Sequence, residues 1–316
     1  MMEMIAILAA PFAVCLVIAA LHGYMGTHVV KRGVIFVDLA LAQMAALGVV
    51  VALASEPLLF NHEAANQAYV ASSETAGPHK AAFESHESSE EHSESLHYAF
   101  SIAFAFFGAA LFAFCRFRDE RIPHEAIIGI VFVVSAALSV LILSRAPHGH
   151  ERMEAMLIGN ILFVTWGDVL WTLALYAGIA LVHMIFRRKF MAITQDISGA
   201  EKSGMHVRLW DLLFYATFGL MVTQSVKMGG VLVVFSYLII PAVCAGMFLS
   251  RFVPQMILTW CIALLASVLG LAFSAYEDLP TGASLVCTFG ALLVACAVLR
   301  LVIGTVSSLL SRPAGR

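Results

Sequence analysis

Charge is scarce in this sequence: Asp, Glu, Lys and Arg together make up 12% of its 316 residues, against 61% hydrophobic. Soluble domains carry about a quarter of their residues as charges, so a water-soluble architecture is excluded and the chain is read as a membrane protein. No extended basic patch occurs and the net charge is −3, which argues against nucleic acid as a partner. No C-x-x-C links any of Cys15, Cys115, Cys244, Cys261, Cys287 and Cys296. All six lie in or beside apolar runs and read as small buried hydrophobes, not as a disulfide framework or a thiolate metal site. The pattern G-x-x-x-x-G-K-[ST] is missing, so the chain has no phosphate cradle of that kind. H-E-x-x-H is missing as well: "HESSEEH" from His86 and "HERME" from His150 approach it, but neither sets a second His four residues after the first. Paired His and carboxylate ligands at helical spacing within a span, which an intramembrane metalloenzyme needs, are also absent.

What is present is a series of apolar runs, with a mean hydropathy of +0.90 for the whole chain. They predict an all-α polytopic bundle, a single transmembrane domain over 1–316. The spans fall near 4–22, 33–54, 98–115, 122–143, 157–186, 208–226, 229–249, 255–275 and 281–302, nine in all with a range of eight to ten. Repeated runs of this length are expected to stay in the mature chain, because a cleavable signal is one short run before a soluble chain. The fifth run is too long for one straight span, and "GDV" at Gly167 to Val169 is the expected break. Lys31 and Arg32, then Arg116, Arg118 and Arg121, then Arg187, Arg188 and Lys189, then Arg251, Arg312 and Arg316 lie in alternate connections. If those are cytoplasmic, the N-terminus is outside and the C-terminus inside.

Under that orientation the polar stretch 55–97 is the longest external loop. It is rich in Ser, Glu, His and Ala and poor in large apolar residues, and so is expected to be disordered. His62, His79, His86, His92 and His97, interleaved with glutamates, suit zinc and related divalent ions, though a flexible tract gathers them only weakly. A solvated spacer is the competing reading. A second external cluster, "PHGHERME", adds His148, His150 and Glu151 at the membrane mouth. Within the bilayer, Asp38 and Gln43 in "FVDLALAQMAALG" are the candidates for a transport path, because a carboxylate in a span must face protein or water. Five helical residues set them about 140° apart, and Asp38 has Lys31 and Arg32 as alternative partners. His22, His28, His124 and His183 read as interfacial residues at span ends.

The loop 190–207, on the cytoplasmic side, mixes polar and small residues. Gln195, Asp196 and Ser198 offer an N-cap and Gly204 a stop, predicting one short helix along the inner surface, suited to docking a soluble partner.

In order along the chain, "KRGVIFVDLALAQMAALGV", "EAIIGIVFVVSAALSVLILS", "LIGNILFVTWGDV", "QDISGAEKSG", "GGVLVVFSYLIIPAVCAG" and "EDLPTGASLV" resemble the membrane permeases of bacterial ATP-binding-cassette importers for divalent transition metals. The resemblance implies an inner-membrane, non-enzymatic permease that pairs with a second copy. It further implies a separate cytoplasmic ATP-binding subunit and an external metal-binding protein as partners. It implies a transported divalent metal, zinc first and manganese or iron otherwise, and no permanent cofactor. It places Gln195, Asp196, Ser198, Gly199, Ala200, Glu201 and Gly204 against the ATPase. One departure stands out: many members carry a His where this chain has Gln43, and an amide binds transition metals more weakly than imidazole. An ion-gradient-coupled transporter without an ATPase is the alternative, and the scarcity of ionisable residues within the spans counts against it.

Overall fold

The structure, a computed structural model, describes the backbone over residues 2–59, 78–115, 123–145, 157, 159 and 161–310. Side chains are described over the same residues except 2–7, 56–59, 78–94 and 306–310. Ten α-helices run through these segments: α1 (Met2–Arg32), α2 (Val37–Leu59), α3 (Pro78–Phe114), α4 (His124–Leu143), α5 (Trp166–Ile185), α6 (Arg187–Gln195), α7 (Ile197–Lys202), α8 (Val207–Phe248), α9 (Phe252–Glu277) and α10 (Thr281–Leu310). Eight of them are long and apolar enough to cross a membrane, and no strand occurs among the described residues.

One of the eight crosses twice. α8 has 42 residues, about 63 Å of helix against a hydrocarbon core of about 30 Å. Gly230 interrupts it at φ 74°, ψ 167°. The contacts of its two arms with α1 fix their directions. Asp211, early in the first arm, takes the Arg32 guanidinium at 3.0 Å, and the carbonyl of Ser250, just past the second arm, accepts from Lys31 Nζ at 2.8 Å. Both outer ends of α8 therefore lie at the C-terminal end of α1, and the helix doubles back at Gly230. Among the described residues this gives nine crossings, matching the nine apolar runs.

The turn depends on glycine. Gly159, at φ +65°, lies so close that a Cβ built on it would fall 2.1 Å from the Gly229 carbonyl carbon, a position and conformation open to glycine alone. On the facing side, a Cβ on Gly26 of α1 would fall 2.0 Å from the Leu238 carbonyl oxygen, so α1 and the second arm of α8 pack backbone to backbone.

Local sequence sets the other boundaries. α5 begins with a reciprocal capping box: the Asp168 N–H donates to Thr165 Oγ1 at 3.3 Å, and the Thr165 N–H donates to Asp168 Oδ2 at 3.0 Å. The break in the fifth apolar run thus comes at Thr165, ahead of "GDV", which forms the first turn of the span; a single 3₁₀ turn, Ile161–Phe163, precedes it. α9 stops at Asp278, which adopts a left-handed φ of 54°, and Pro280 separates it from α10. α3 begins at Pro78, well before its apolar span Ser95–Phe114. Over 78–97, part of the stretch where composition predicts disorder, the backbone is helical. Adding Ala-, Glu- and Lys-containing turns to a helix already formed avoids the cost of nucleation.

α1, α2, α3 and α8 supply most of the core, with Tyr237, Phe112, Phe214, Phe218, Met25 and Leu41 fully buried. α10 is peripheral, with 6% of its span window buried against 67% for α2. Its exposed Val294, Val298, Leu301 and Val302 suit lipid or a second copy.

Candidate transport path and docking end

α2 is the most buried span, and Asp38 sits in its first turn, 1% exposed. Neither carboxylate oxygen has a hydrogen-bond partner. The pairing with Lys31 or Arg32 open to it from sequence is not made, since Lys31 reaches Ser250 and Arg32 reaches Asp211. Nor does Asp38 snorkel, being closed off from solvent. Gln43, about 140° further round the helix, is half-buried, so the two do not share one face.

A second polar layer, not foreseen from sequence, joins four elements deeper in the bundle. His22 is fully buried, with Nδ1 3.0 Å from the Ile18 carbonyl and Nε2 3.3 Å from the Ser225 hydroxyl. Because a carbonyl only accepts, Nδ1 carries the proton of the neutral ring and Nε2 is left as an acceptor facing the Ser225 hydroxyl, which also donates to the Met221 carbonyl at 2.8 Å. Ser225 also touches the Tyr176 hydroxyl. One residue earlier, Gln224 accepts from the Tyr98 hydroxyl at 3.2 Å and donates to Thr172 Oγ1 at 3.0 Å. Polar groups paired across helices in this way hold spans together in a medium that offers no water.

His28 and His183 are likewise 1% and 2% exposed. His183 stacks on Phe190 at 4.3 Å and meets Thr217 Oγ1 at 2.9 Å; His28 Nδ1 meets Thr194 Oγ1 at 2.8 Å. The interfacial reading of His22, His28 and His183 is therefore corrected: all three are interior. Hydropathy alone ended the first span near residue 22, but the helix stays packed through Arg32, carrying His22 and His28 into the bundle. His22 and His28, six residues apart, sit about 120° from each other around a helix, so no spacing in the sequence marked them as interior.

Among the external candidates, His97 is half-buried in α3. His79, His86 and His92 lie on its helical N-terminal extension, with side chains outside the described set. His62, His148, His150 and Glu151 lie outside the described residues altogether. Among the described residues no group of three or more His, Cys, Asp or Glu is placed to hold a metal.

At the Lys31–Arg32 end, 190–207 forms two short helices where one was expected. α6 buries Phe190, Ile193 and Thr194 against the spans and exposes Arg187, Arg188 and Lys189. Asp196, extended at φ −150°, ψ 95°, separates α6 from α7 and caps α7, accepting from the Gly199 N–H at 2.9 Å. Of the proposed caps it is the one used. Gly204, at φ +81°, closes the far side, and the Met205 N–H donates to the Ala200 carbonyl at 3.2 Å. Ala200 is buried with Ile193 and Val207 in a small core of its own. Gln195, Asp196, Ser198, Glu201 and Gly204 face outward, with Gly199 half-buried beneath them. The result is a polar, exposed knob held by its own small core at the Lys31–Arg32 end.

The profile of the ABC 3 transport family matches residues 94–300. The chain is similar to the manganese transport system membrane protein MntC of Halalkalibacterium halodurans, 24% identical over 169 residues that cover 54% of this chain and 58% of that one. It is also similar to the chelated iron transport system membrane protein YfeD of Yersinia pestis, 26% identical over 169 residues, 54% of this chain and 57% of that one. The matched region thus spans less than two thirds of the length of both relatives. Among solved structures, PsaBC from Streptococcus pneumoniae in complex with Fab aligns with a TM-score of 0.67 at 20% identity, over 92% of this chain and 90% of that chain. At that identity the likeness is one of fold.

Proposed function

Because the chain belongs to the ABC 3 transport family, we propose that it is the membrane permease of an ATP-driven importer for a divalent first-row transition metal. The observation that carries this is the reach of the family match, from the third crossing to the last, with the docking knob inside it. Energy comes from a separate ATP-binding subunit seated on α6 and α7, through Gln195, Asp196, Ser198, Glu201 and the turn at Gly204. The knob and the basic residues Lys31, Arg32, Arg187, Arg188, Lys189 and Arg251 share one end, which is the cytoplasmic one by the positive-inside rule. Nine crossings then place the N-terminus outside. The ion is delivered from outside by a metal-binding protein and passes Asp38, with Gln43 lining the path, between this chain and a second copy. The tract carrying His79, His86, His92 and His97 is an accessory collector.

Oxygen ligands bear on the cargo. The Asp38 carboxylate offers hard oxygen ligands, which suit a hard ion better than a thiophilic one, and the two relatives above are named for manganese and chelated iron. Manganese is therefore placed first, ferrous iron second, and zinc, which the imidazole-rich tract suggests, third. The test is uptake into proteoliposomes containing the permease, its ATPase and its binding protein, with radioactive manganese and zinc in parallel. Uptake of either metal that proceeds without ATP removes the importer reading and leaves the gradient-coupled one.

A further inference from the structure

Thr194, in the last turn of α6, is buried at 6% exposure. Its hydroxyl meets two side chains of α1 at once: Arg32 donates through Nε at 2.9 Å, and His28 Nδ1 lies 2.8 Å away. A helical threonine commonly turns its hydroxyl back to its own chain; this one is committed across a helix boundary. Arg32 continues the connection. Its Nη1 donates to Asp211 at the start of α8 at 3.0 Å, the two side chains being 3% and 2% exposed, and its guanidinium lies 4.0 Å above the Phe214 ring. One hydroxyl thus ties α6 to α1, and through Arg32 to α8. Charge-assisted bonds shielded from water are strong and directional, so the junction moves as a unit.

The docking helices are themselves a rigid piece, held by the core of Ile193, Ala200 and Val207. Beside α7 the packing is open. A cavity of about 240 Å³ separates Ile197 from the α1–α2 turn, bounded by Val34, His124, Glu125 and Tyr215. A push on α7 therefore meets empty space toward that turn and a hydrogen-bonded junction at Thr194. Further back along α1, six residues before Arg32, Gly26 packs backbone to backbone on the second arm of α8, and His22 reaches the interior polar layer, so a shift of the C-terminal turn of α1 bears directly on both.

We propose that Thr194 is the positioning residue that couples the docking helices to the membrane spans: its hydroxyl passes their displacement to Arg32 and His28, and so to α1 and the start of α8. The proposal rests on the permease reading above. The test uses the complete transporter in proteoliposomes and measures manganese uptake and ATP hydrolysis in the same vesicles. Thr194→Val keeps the side-chain shape and removes the hydroxyl. Expected are unchanged co-purification of the ATPase, basal hydrolysis within about twofold, and uptake per ATP down about tenfold; Thr194→Ser restores the ratio to within about twofold. Arg32→Lys keeps a cation for Asp211 but lacks the Nε–H, and repeats the loss of ratio if Thr194→Val assembles poorly. Unchanged uptake per ATP in both Thr194→Val and Arg32→Lys overturns the proposal, as does a parallel fall of uptake and hydrolysis that serine does not rescue. Failure of the parent complex to show ATP-dependent uptake strikes the permease reading instead, and is seen before any variant is compared.

Discussion

Replacing Asp38 with leucine is expected to stabilise the permease while abolishing transport. An aspartate at the centre of a transmembrane helix costs roughly 2.5–3.5 kcal/mol. Asp38 lies in the first turn of α2, where the helix dipole returns about 0.3–1 kcal/mol. No hydrogen bond offsets the remainder, since both carboxylate oxygens are buried and unpartnered. Removing the group should therefore gain about 2 kcal/mol, a rise in unfolding temperature of roughly 2–6 °C for a chain this long. The assay is thermal unfolding of the detergent-purified permease in chelator, beside manganese uptake by the reconstituted complex. Adding millimolar manganese should raise the parent's unfolding temperature and leave the leucine variant's unchanged, because a ligand stabilises only a state that binds it. Asp38→Asn, similar in shape, separates loss of charge from loss of volume and should also lose uptake. If Asp38→Leu unfolds at a lower temperature than the parent, the carboxylate has a structural partner in the working assembly and its place in the ion path is lost.

Three further expectations concern other parts of the molecule. Gly159→Ala drives a Cβ to 2.1 Å from the Gly229 carbonyl carbon at a φ of +65°; with a clash against backbone and left-handed strain together, the loss should be at least about 2 kcal/mol, seen as a lower unfolding temperature or a failure to accumulate in the membrane. Gly199→Ala places a Cβ 2.3 Å from Asp196 Oδ2, so the cap on α7 opens at a cost of about 1 kcal/mol; co-purification of the ATPase should fall while the unfolding temperature of the spans holds. Replacing His62, His79, His86 and His92 together with serine should leave the maximal uptake rate intact and raise the half-saturating metal concentration only a few-fold, as for a weakly gathering tract; loss of the maximal rate would make the tract part of the path.

The bundle was legible in the sequence because the bilayer imposes one rule, that backbone polar groups be satisfied within the segment, and apolar runs of span length follow from it. Even the doubling of α8 was visible as two runs, 208–226 and 229–249, the second opening on Gly229 and Gly230. The interior polar residues were not. Hydropathy averages over a window, so Lys31 and Arg32 and the histidines before them lower the score of α1 and cut it short, although the helix itself runs on to Arg32. Which polar residue pairs with which is a matter of long-range geometry: Arg32 and Asp211 are separated by most of the chain, and no local pattern announces their contact. For the same reason Asp38 could be picked out as costly, while its lack of a partner had to be seen in three dimensions.

The unpartnered carboxylate and the tightly partnered arginine lie six residues apart, and the difference between them is functional logic. Arg32 is pinned by Asp211, Thr194 and the Phe214 ring, and such a group holds elements in register. Asp38, one helix further on, makes no hydrogen bond through either carboxylate oxygen, and is the kind of group that a passing cation can stabilise without first breaking one. Because the α1–α2 turn joins the two directly, movement of Arg32 with α6 and α7, on the coupling proposed above, would reposition the start of α2 and hence Asp38. In one state the carboxylate is sealed from solvent, as here; a shift of about a helical turn's width, the scale on which packed helices switch, would open it toward one side. On the importer reading proposed above, a site that binds weakly when closed, and is exposed only when a partner moves the junction, is what a chain without G-x-x-x-x-G-K-[ST] would need.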